Sequence, residues 1–236
     1  MEDVSRPRLS TRHVLGAALA LGVLDLVFVG LFIAHALAVK HGWQTPLSSS
    51  YFNINRDGGL AEWFEYAKSA TAALALIACA RAADSRAFRV LAGLHVWIAA
   101  DNSLRLHEQL GGLIGEALFR GDVLGLIPAR DAGQVIFHGL VLATASAFLW
   151  LTAKREPRRL WPTLGVLFLA TIAAGFFGVV VDAYHASSLS EGVSGWVLIL
   201  VEDGGETIML SLACAVSIGC WFALRQRPAA PLPDAA

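Results

Sequence analysis

The chain has 236 residues, of which 56% are hydrophobic and only 16% are charged. A typical soluble domain carries about 25% charged residues, so this composition excludes an ordinary soluble protein and indicates an integral membrane protein. The formal net charge is −1, which gives no reason to expect a nucleic-acid partner.

Apolar runs near the ~20 residues that a membrane-spanning helix needs alternate with short polar stretches along the chain. The fold class predicted is all-α, a polytopic bundle of about six transmembrane helices in a single domain over residues 14–224. The predicted spans are Val14–Val39, Leu60–Ala80, Phe88–Leu110, Gly133–Ala153, Pro162–Tyr184 and Gly195–Leu224. No cleavage site follows the basic segment 1–13, so the first span is expected to be retained. The Pro/Ala-rich segment 225–236 is predicted to be a disordered tail.

The basic residues predict the orientation, because loops rich in lysine and arginine face the cytoplasm. Most of them precede the first span, follow the second and fourth spans, or follow the sixth. Both termini are therefore expected in the cytoplasm, in a bacterial-type inner membrane. The loops His41–Gly59 and Gly111–Asp131 would then face the periplasm. The second of these is either a segment with a short helix on the membrane surface or a connector with one amphipathic turn, and the sequence leaves both open.

Carboxylates and imidazoles recur near the ends of the predicted spans, although an ionisable group at membrane depth costs about 2.5–3.5 kcal/mol on insertion scales. On the predicted topology, nearly all of them fall near the outer membrane face and would line a polar chamber. They are Glu62, Glu65, Asp101, His107, Glu108, His138, Asp182, His185, Glu202, Asp203 and Glu206. Asp25 and His95 lie deeper. A proton-relay role for Asp25 and a pair with His95 both stay open.

Residues three or four apart share one face of a helix. This spacing pairs Asp182 with His185 on the fifth span and Glu202 with Glu206 on the sixth. On the third span it places Asp101, Arg105 and Glu108 on one stripe, with His107 turned about 100° away. Gly204 and Gly205 interrupt the sixth span, where they predict either local unwinding or close packing against a neighbouring helix.

Carboxylates and imidazoles from several helices are the ligands that a hard or borderline divalent cation needs. The predicted metal ligands are Asp101, His107, Asp182, His185, Glu202 and Glu206, and the predicted catalytic carboxylates are Glu108 and Glu62. The alternative is a network in which Lys68, Arg105 and Arg130 neutralise the acids and merely hold the helices together. The acids outnumber these bases, which favours a site over a purely structural network.

One segment, AEWFEYAKS (Ala61–Ser69), loosely resembles part of the membrane hydrolases of the alkaline ceramidase type. The paired histidines near the C-terminus of those enzymes have no counterpart here, because Glu202, Asp203 and Glu206 occupy the last span. The sequence is therefore assigned to no family.

Three functions fit this pattern. The first is a divalent-metal site near the periplasmic face, either sensory or catalytic, in the second case in a membrane enzyme acting on a lipid or a small amphiphile. The second is a proton- or cation-coupled transporter. The third is a non-catalytic subunit of a larger membrane complex. Membrane lipids are expected partners in each, and a homo-oligomer or a larger complex stays open.

Overall fold

The computed structural model describes residues 11–123, 126–187 and 193–226. Over these residues the protein is helical, and the only β-type pairing is an isolated bridge between Val123 and Ile127. Most of the predicted basic segment 1–13 and of the predicted tail 225–236 lies outside the described residues.

Eight α-helices carry the described part of the fold. They are α1 (Thr11–Lys40), α2 (Leu60–Ala83), α3 (Arg86–Leu104), α4 (Leu106–Leu118), α5 (Ala129–Ala153), α6 (Trp161–Gly175), α7 (Asp182–Ser187) and α8 (Val193–Arg225). A π-helical segment, Phe176–Val181, joins α6 to α7. Two single 3-10 turns, Pro46–Ser48 and Ser50–Phe52, shape the loop between α1 and α2.

Four helices are long and apolar enough to cross a membrane: Thr11–Lys40, Ala129–Ala153, Arg158–His185 and Gly195–Arg225. Helix α2 has 24 residues and α3 has 19, which give lengths of about 36 Å and 28 Å at 1.5 Å per residue. Both therefore have the length of a span, but they carry more polar and charged side chains than the other four.

Helix α8 packs against α1, α2 and α6, while α2 packs on α3 and α4 packs on α5. The main apolar core lies at one end of the bundle, where Leu76, Phe88, Leu167 and Val216 are buried together. This end includes the C-terminal part of α2 and the N-terminal parts of α3 and α6. Many of the polar side chains lie at the opposite end, beside the cavity described below.

The third predicted span is wrong beyond Leu104. Arg105 adopts a left-handed conformation with φ 52°, which ends α3, and α4 begins at the next residue. Consequently Asp101 does not share one helical stripe with Arg105 and Glu108. The short helix predicted as one alternative within 111–131 corresponds to α4, which starts earlier than predicted and covers Leu106–Leu118.

Candidate metal centre and cavity

A cavity of about 510 Å³ lies between α2, α3, α4, α5, α8 and the segment from α6 to α7. Many of the carboxylates and imidazoles that the sequence places near span ends line it. The ionisable residues in its wall are Arg56, Asp57, Glu62, Glu65, Asp101, Arg105, His107, Glu108, His138, Asp182, Glu202, Asp203 and Glu206. His185 is not in this wall, but its Nδ1 lies 2.8 Å from Glu202 Oε2.

Three of these residues bring metal-ligating atoms together. The ligand atoms of Asp101, His107 and His138 all lie within 4.8 Å of one another. Asp101 Oδ2 is 3.3 Å from His107 Nδ1 and 3.2 Å from His138 Nε2. Asp101 is only 2% exposed, so its carboxylate faces the two imidazoles rather than water.

The break after α3 sets the position of Asp101. Its Oδ1 accepts a hydrogen bond of 2.8 Å from the backbone N–H of His107, so the side chain satisfies an amide in the first turn of α4. This bond leaves Oδ2 directed at the imidazoles. The same carboxylate therefore stabilises the start of α4 and forms the centre of the ligand cluster.

Glycines let α4 approach α5 closely enough to bring His107 near His138. A Cβ placed on Gly133 would lie 2.0 Å from the carbonyl oxygen of Gly111 and 2.4 Å from the amide nitrogen of Gly115. Only a residue without a side chain fits there. The ring centroids of His107 and His138 are consequently 5.1 Å apart.

The second nitrogen of His138 fixes which atom faces the cluster. Nδ1 lies 3.1 Å from the backbone carbonyl of Gln134, and a carbonyl accepts only from a protonated nitrogen. In the neutral ring, Nε2 then presents a lone pair to Asp101 Oδ2. Two lone pairs at 3.2 Å repel each other unless a proton or a metal cation lies between them. A carbonyl bonded to the far nitrogen is the usual support of a metal-bound histidine.

The distances also suit an ion. In a tetrahedral site with metal–ligand distances of 2.0–2.1 Å, neighbouring ligand atoms lie about 3.3 Å apart. The two contacts to Asp101 Oδ2 match this value. His107 Nδ1 is buried and has no hydrogen-bond partner among the described residues, so its 3.3 Å contact has the distance of a hydrogen bond without its geometry.

The pKa of His107 indicates the electrostatic environment of the site. Helix α4 has 13 residues and is too short to cross a membrane. Burial alone would lower the pKa of His107, but the carboxylates of Asp101, Glu108 and Asp182 outweigh burial and raise that pKa above its ordinary value. The cluster therefore attracts a positive charge.

The two predicted catalytic carboxylates have partners outside the cluster. Glu108 lies 3.4 Å from Arg130 Nη2 and 3.8 Å from Arg105 Nε. Glu62 accepts a hydrogen bond from the amide of Gly58, just before α2. Both side chains line the cavity, and both also have structural contacts.

The other predicted ligands form a second group across the cavity. Glu202 contacts His185 and lies within electrostatic reach of Asp182. Glu206 accepts from Asn102 Nδ2 at 3.4 Å and packs against Gly178, where a Cβ would lie 2.0 Å from Glu206 Oε2. Gly178 belongs to the π-helical segment, and such segments often occur at functional sites.

For two deeper features, the structure excludes one of the two alternatives that the sequence leaves open. Asp25 lies 3.3 Å from Lys68 Nζ, whereas His95 Nε2 contacts the hydroxyl of Thr171 at 3.4 Å, so Asp25 does not pair with His95. Helix α8 continues through Gly204 and Gly205 without unwinding. A Cβ on Gly205 would lie 2.5 Å from the ring of Phe177, so close packing explains this glycine.

His138 is the ligand that sequence reasoning left out of the metal set. It was expected in the chamber, but it has no acidic or imidazole neighbour three or four residues away on α5. Its partner comes from α3, a contact that local spacing does not reveal.

The chain belongs to the family described as "Domain of unknown function (DUF8692)", which matches residues 13–220. The match includes Asp101, His107 and His138. No curated protein and no solved structure matches the chain.

Proposed function

We propose that this member of the DUF8692 family is a multi-pass membrane protein that binds a divalent metal ion through Asp101, His107 and His138. The observation that carries the proposal is the pair of imidazole nitrogens, 3.2 and 3.3 Å from one buried carboxylate oxygen. A cation at this point would relieve the repulsion between Nε2 of His138 and Asp101 Oδ2. It would also give His107 Nδ1 the partner that it lacks.

The membrane arrangement we propose has six spans, with α2 and α3 crossing as a hairpin beside the four more apolar helices. Their lengths of about 36 Å and 28 Å compare with a hydrocarbon core of about 30 Å. The basic residues near Asp84 and those near Arg158 put both of these turns in the cytoplasm. The metal centre then lies at the periplasmic end of the bundle.

Two imidazoles and one carboxylate are a donor set typical of catalytic Zn²⁺ and of non-haem Fe²⁺. Within the described part of the chain three protein ligands meet here, so a bound ion would keep a position open towards the 510 Å³ cavity. Such an ion activates a water molecule at neutral pH. We therefore propose a metal-dependent hydrolytic enzyme, and the apolar surroundings favour a lipid or a small amphiphile as its substrate.

The carboxylates in the cavity wall would have different roles in such a reaction. Asp182 is close enough to influence the charge of His107 and is the candidate that takes a proton from the attacking water. Glu108 is held between Arg105 and Arg130, which suits a side chain that orients His107 better than a base. Glu62 accepts a hydrogen bond from the backbone amide of Gly58 and would stabilise the N-terminus of α2.

Elemental analysis of the full chain, purified in detergent without chelator, tests this proposal. We expect about one equivalent of Zn²⁺ or Fe²⁺ in the wild type, and a loss of at least tenfold in occupancy for His138→Ala and for Asp101→Asn. Asparagine keeps an oxygen that accepts the hydrogen bond from the His107 amide, so Asp101→Asn removes the charge without removing this bond. His41→Ala, in the exposed loop after α1, is the matched control.

Equal metal content in His41→Ala and His138→Ala, at matched folding, would contradict the metal centre. The clustered side chains would then serve only to hold the helices together, as a non-catalytic subunit of a membrane complex requires. The identity of the recovered ion separates zinc chemistry from iron chemistry.

A further inference from the structure

A second, apolar groove opens beside the cavity, between α3 and α5. Its volume is about 460 Å³, and the residues that line it include Arg89, Gly93, Thr144 and Phe148. Three residues, Leu94, Trp97 and Val141, line both the groove and the cavity. The groove therefore lies directly beside the cavity in front of the metal centre, and these three side chains separate the two spaces.

The groove runs along the outside of the bundle towards the N-terminal end of α3. From Trp97 to Arg89 it covers eight residues of α3, or about 12 Å at 1.5 Å per residue. One leaflet of a hydrocarbon core of about 30 Å contributes about 15 Å. A space of this length and polarity suits an extended hydrocarbon chain.

Trp97 marks the junction between the apolar groove and the polar cavity. Its indole Nε1 is buried and has no hydrogen-bond partner among the described residues. A buried tryptophan N–H normally has a partner. Trp97 is one turn from Asp101, or about 6 Å along the axis of α3, so the apolar groove ends one helical turn from the ligand cluster.

We infer that the groove between α3 and α5 holds the acyl chain of a membrane lipid, with the polar end of that lipid at the neighbouring cavity. This inference rests on the proposed function and names the substrate class of the same site, an acyl lipid that enters sideways from the bilayer. A helix of a second copy is a poor occupant, since a helix with its side chains is about 10–12 Å wide and α3 contacts α5 directly.

Photolabelling in vesicles tests the groove. The full chain is reconstituted in phosphatidylethanolamine and phosphatidylglycerol containing a trace of phosphatidylethanolamine with a diazirine on one acyl chain. After irradiation, we expect adducts at Trp97, Thr144 and Phe148 at several times the level found at exposed residues of α1, such as Leu19 and Leu26.

Two variants fill the groove from opposite walls, Gly93→Trp on α3 and Thr144→Trp on α5. A Cβ on Gly93 meets no atom within 4 Å, so the larger side chain has room to enter the groove without displacing the backbone. Each variant should reduce the groove adducts at least threefold. Gly30→Trp, at an equally open glycine on α1, should leave them unchanged.

Adducts spread evenly over α1 and the groove, or groove adducts that both blocking variants leave unchanged, would overturn the lipid site. Crosslinks between two copies of the chain through the groove residues would overturn it in favour of a dimer contact. Metal content is measured on the same samples. Bound metal with even labelling refutes the groove alone, whereas groove labelling without metal refutes the proposed metal centre alone.

Discussion

Asp101 and Lys68 show how single charged side chains organise this bundle. Asp101 accepts the amide of His107 with one oxygen and faces two imidazoles with the other, so its charge serves both the helix boundary and the ligand cluster. Lys68 is 2% exposed. It lies 3.3 Å from Asp25 and donates a 2.7 Å hydrogen bond to the carbonyl of Thr207. These contacts connect α2 to α1 and α8 below the cavity.

Lys68→Met tests the structural role of this buried ion pair. The substitution leaves Asp25 buried without its counter-charge, so we expect the free energy of unfolding in detergent to fall by roughly 3 kcal/mol. The double variant Asp25→Asn/Lys68→Met removes both charges of this pair and should recover at least half of that loss. A denaturant titration of the two single variants and the double variant measures the coupling. Losses that simply add would contradict a direct interaction between the two side chains.

The contacts of individual residues also show what the sequence was able to predict. Acidic residues and histidines near span ends predicted most of the ionisable members of the cavity wall, because their distance along a helix sets their depth in the bundle. The left-handed conformation of Arg105 was not predictable, since glycine, asparagine or aspartate is the usual signal for it. The contact between Asp101 and His138 depends on how α3 and α5 pack, which residue spacing within one helix does not encode.

At the scale of the elements, the short helix α4 carries His107 and depends on α5 for its position. Gly111, Gly115 and Gly133 form the contact, and the backbones approach each other more closely than any side chain allows. On the other side of the cavity, the π-helical segment before α7 brings Gly178 against Glu206. Both features place irregular or glycine-based backbone beside the cavity rather than in the apolar core.

Gly133→Ala tests whether this glycine contact positions the metal ligand. The added methyl group would lie 2.0 Å from the carbonyl oxygen of Gly111, so α4 must move away from α5 and carry His107 with it. We expect metal occupancy to fall at least tenfold while circular dichroism still shows a helical protein, because alanine itself favours the helix. Overpacking of this kind costs about 1–3 kcal/mol.

Gly139→Ala is the control for this substitution, since it lies on the same helix and a Cβ there meets no atom within 4 Å. It should keep both metal and stability. Normal metal binding by Gly133→Ala would mean that His107 reaches its position without the close packing of α4 on α5.

At the scale of the whole molecule, the polar cavity and the main apolar core lie at opposite ends of the helices. The core joins Leu76 and Ala80 of α2 to Phe88 of α3 across the turn at Asp84, whereas the ligands lie at the far end of α3. The bundle therefore has one end that provides most of its packing and one end that is free to hold polar groups. This division agrees with the basic residues, which flank the packed end.

Cysteine accessibility tests the six-span arrangement and its orientation together. Trp43→Cys and Arg120→Cys should react with a membrane-impermeant maleimide in intact cells, because both exposed positions would lie in the periplasm. Asp84→Cys and Arg158→Cys should react only after the membrane is permeabilised. The native cysteines Cys79, Cys214 and Cys220 are buried and contribute little background.

Labelling of Asp84→Cys from outside would show that α2 and α3 do not cross the bilayer. Protection of Arg120→Cys together with labelling of Arg158→Cys in intact cells would show the opposite orientation, with the metal centre at the cytoplasmic face.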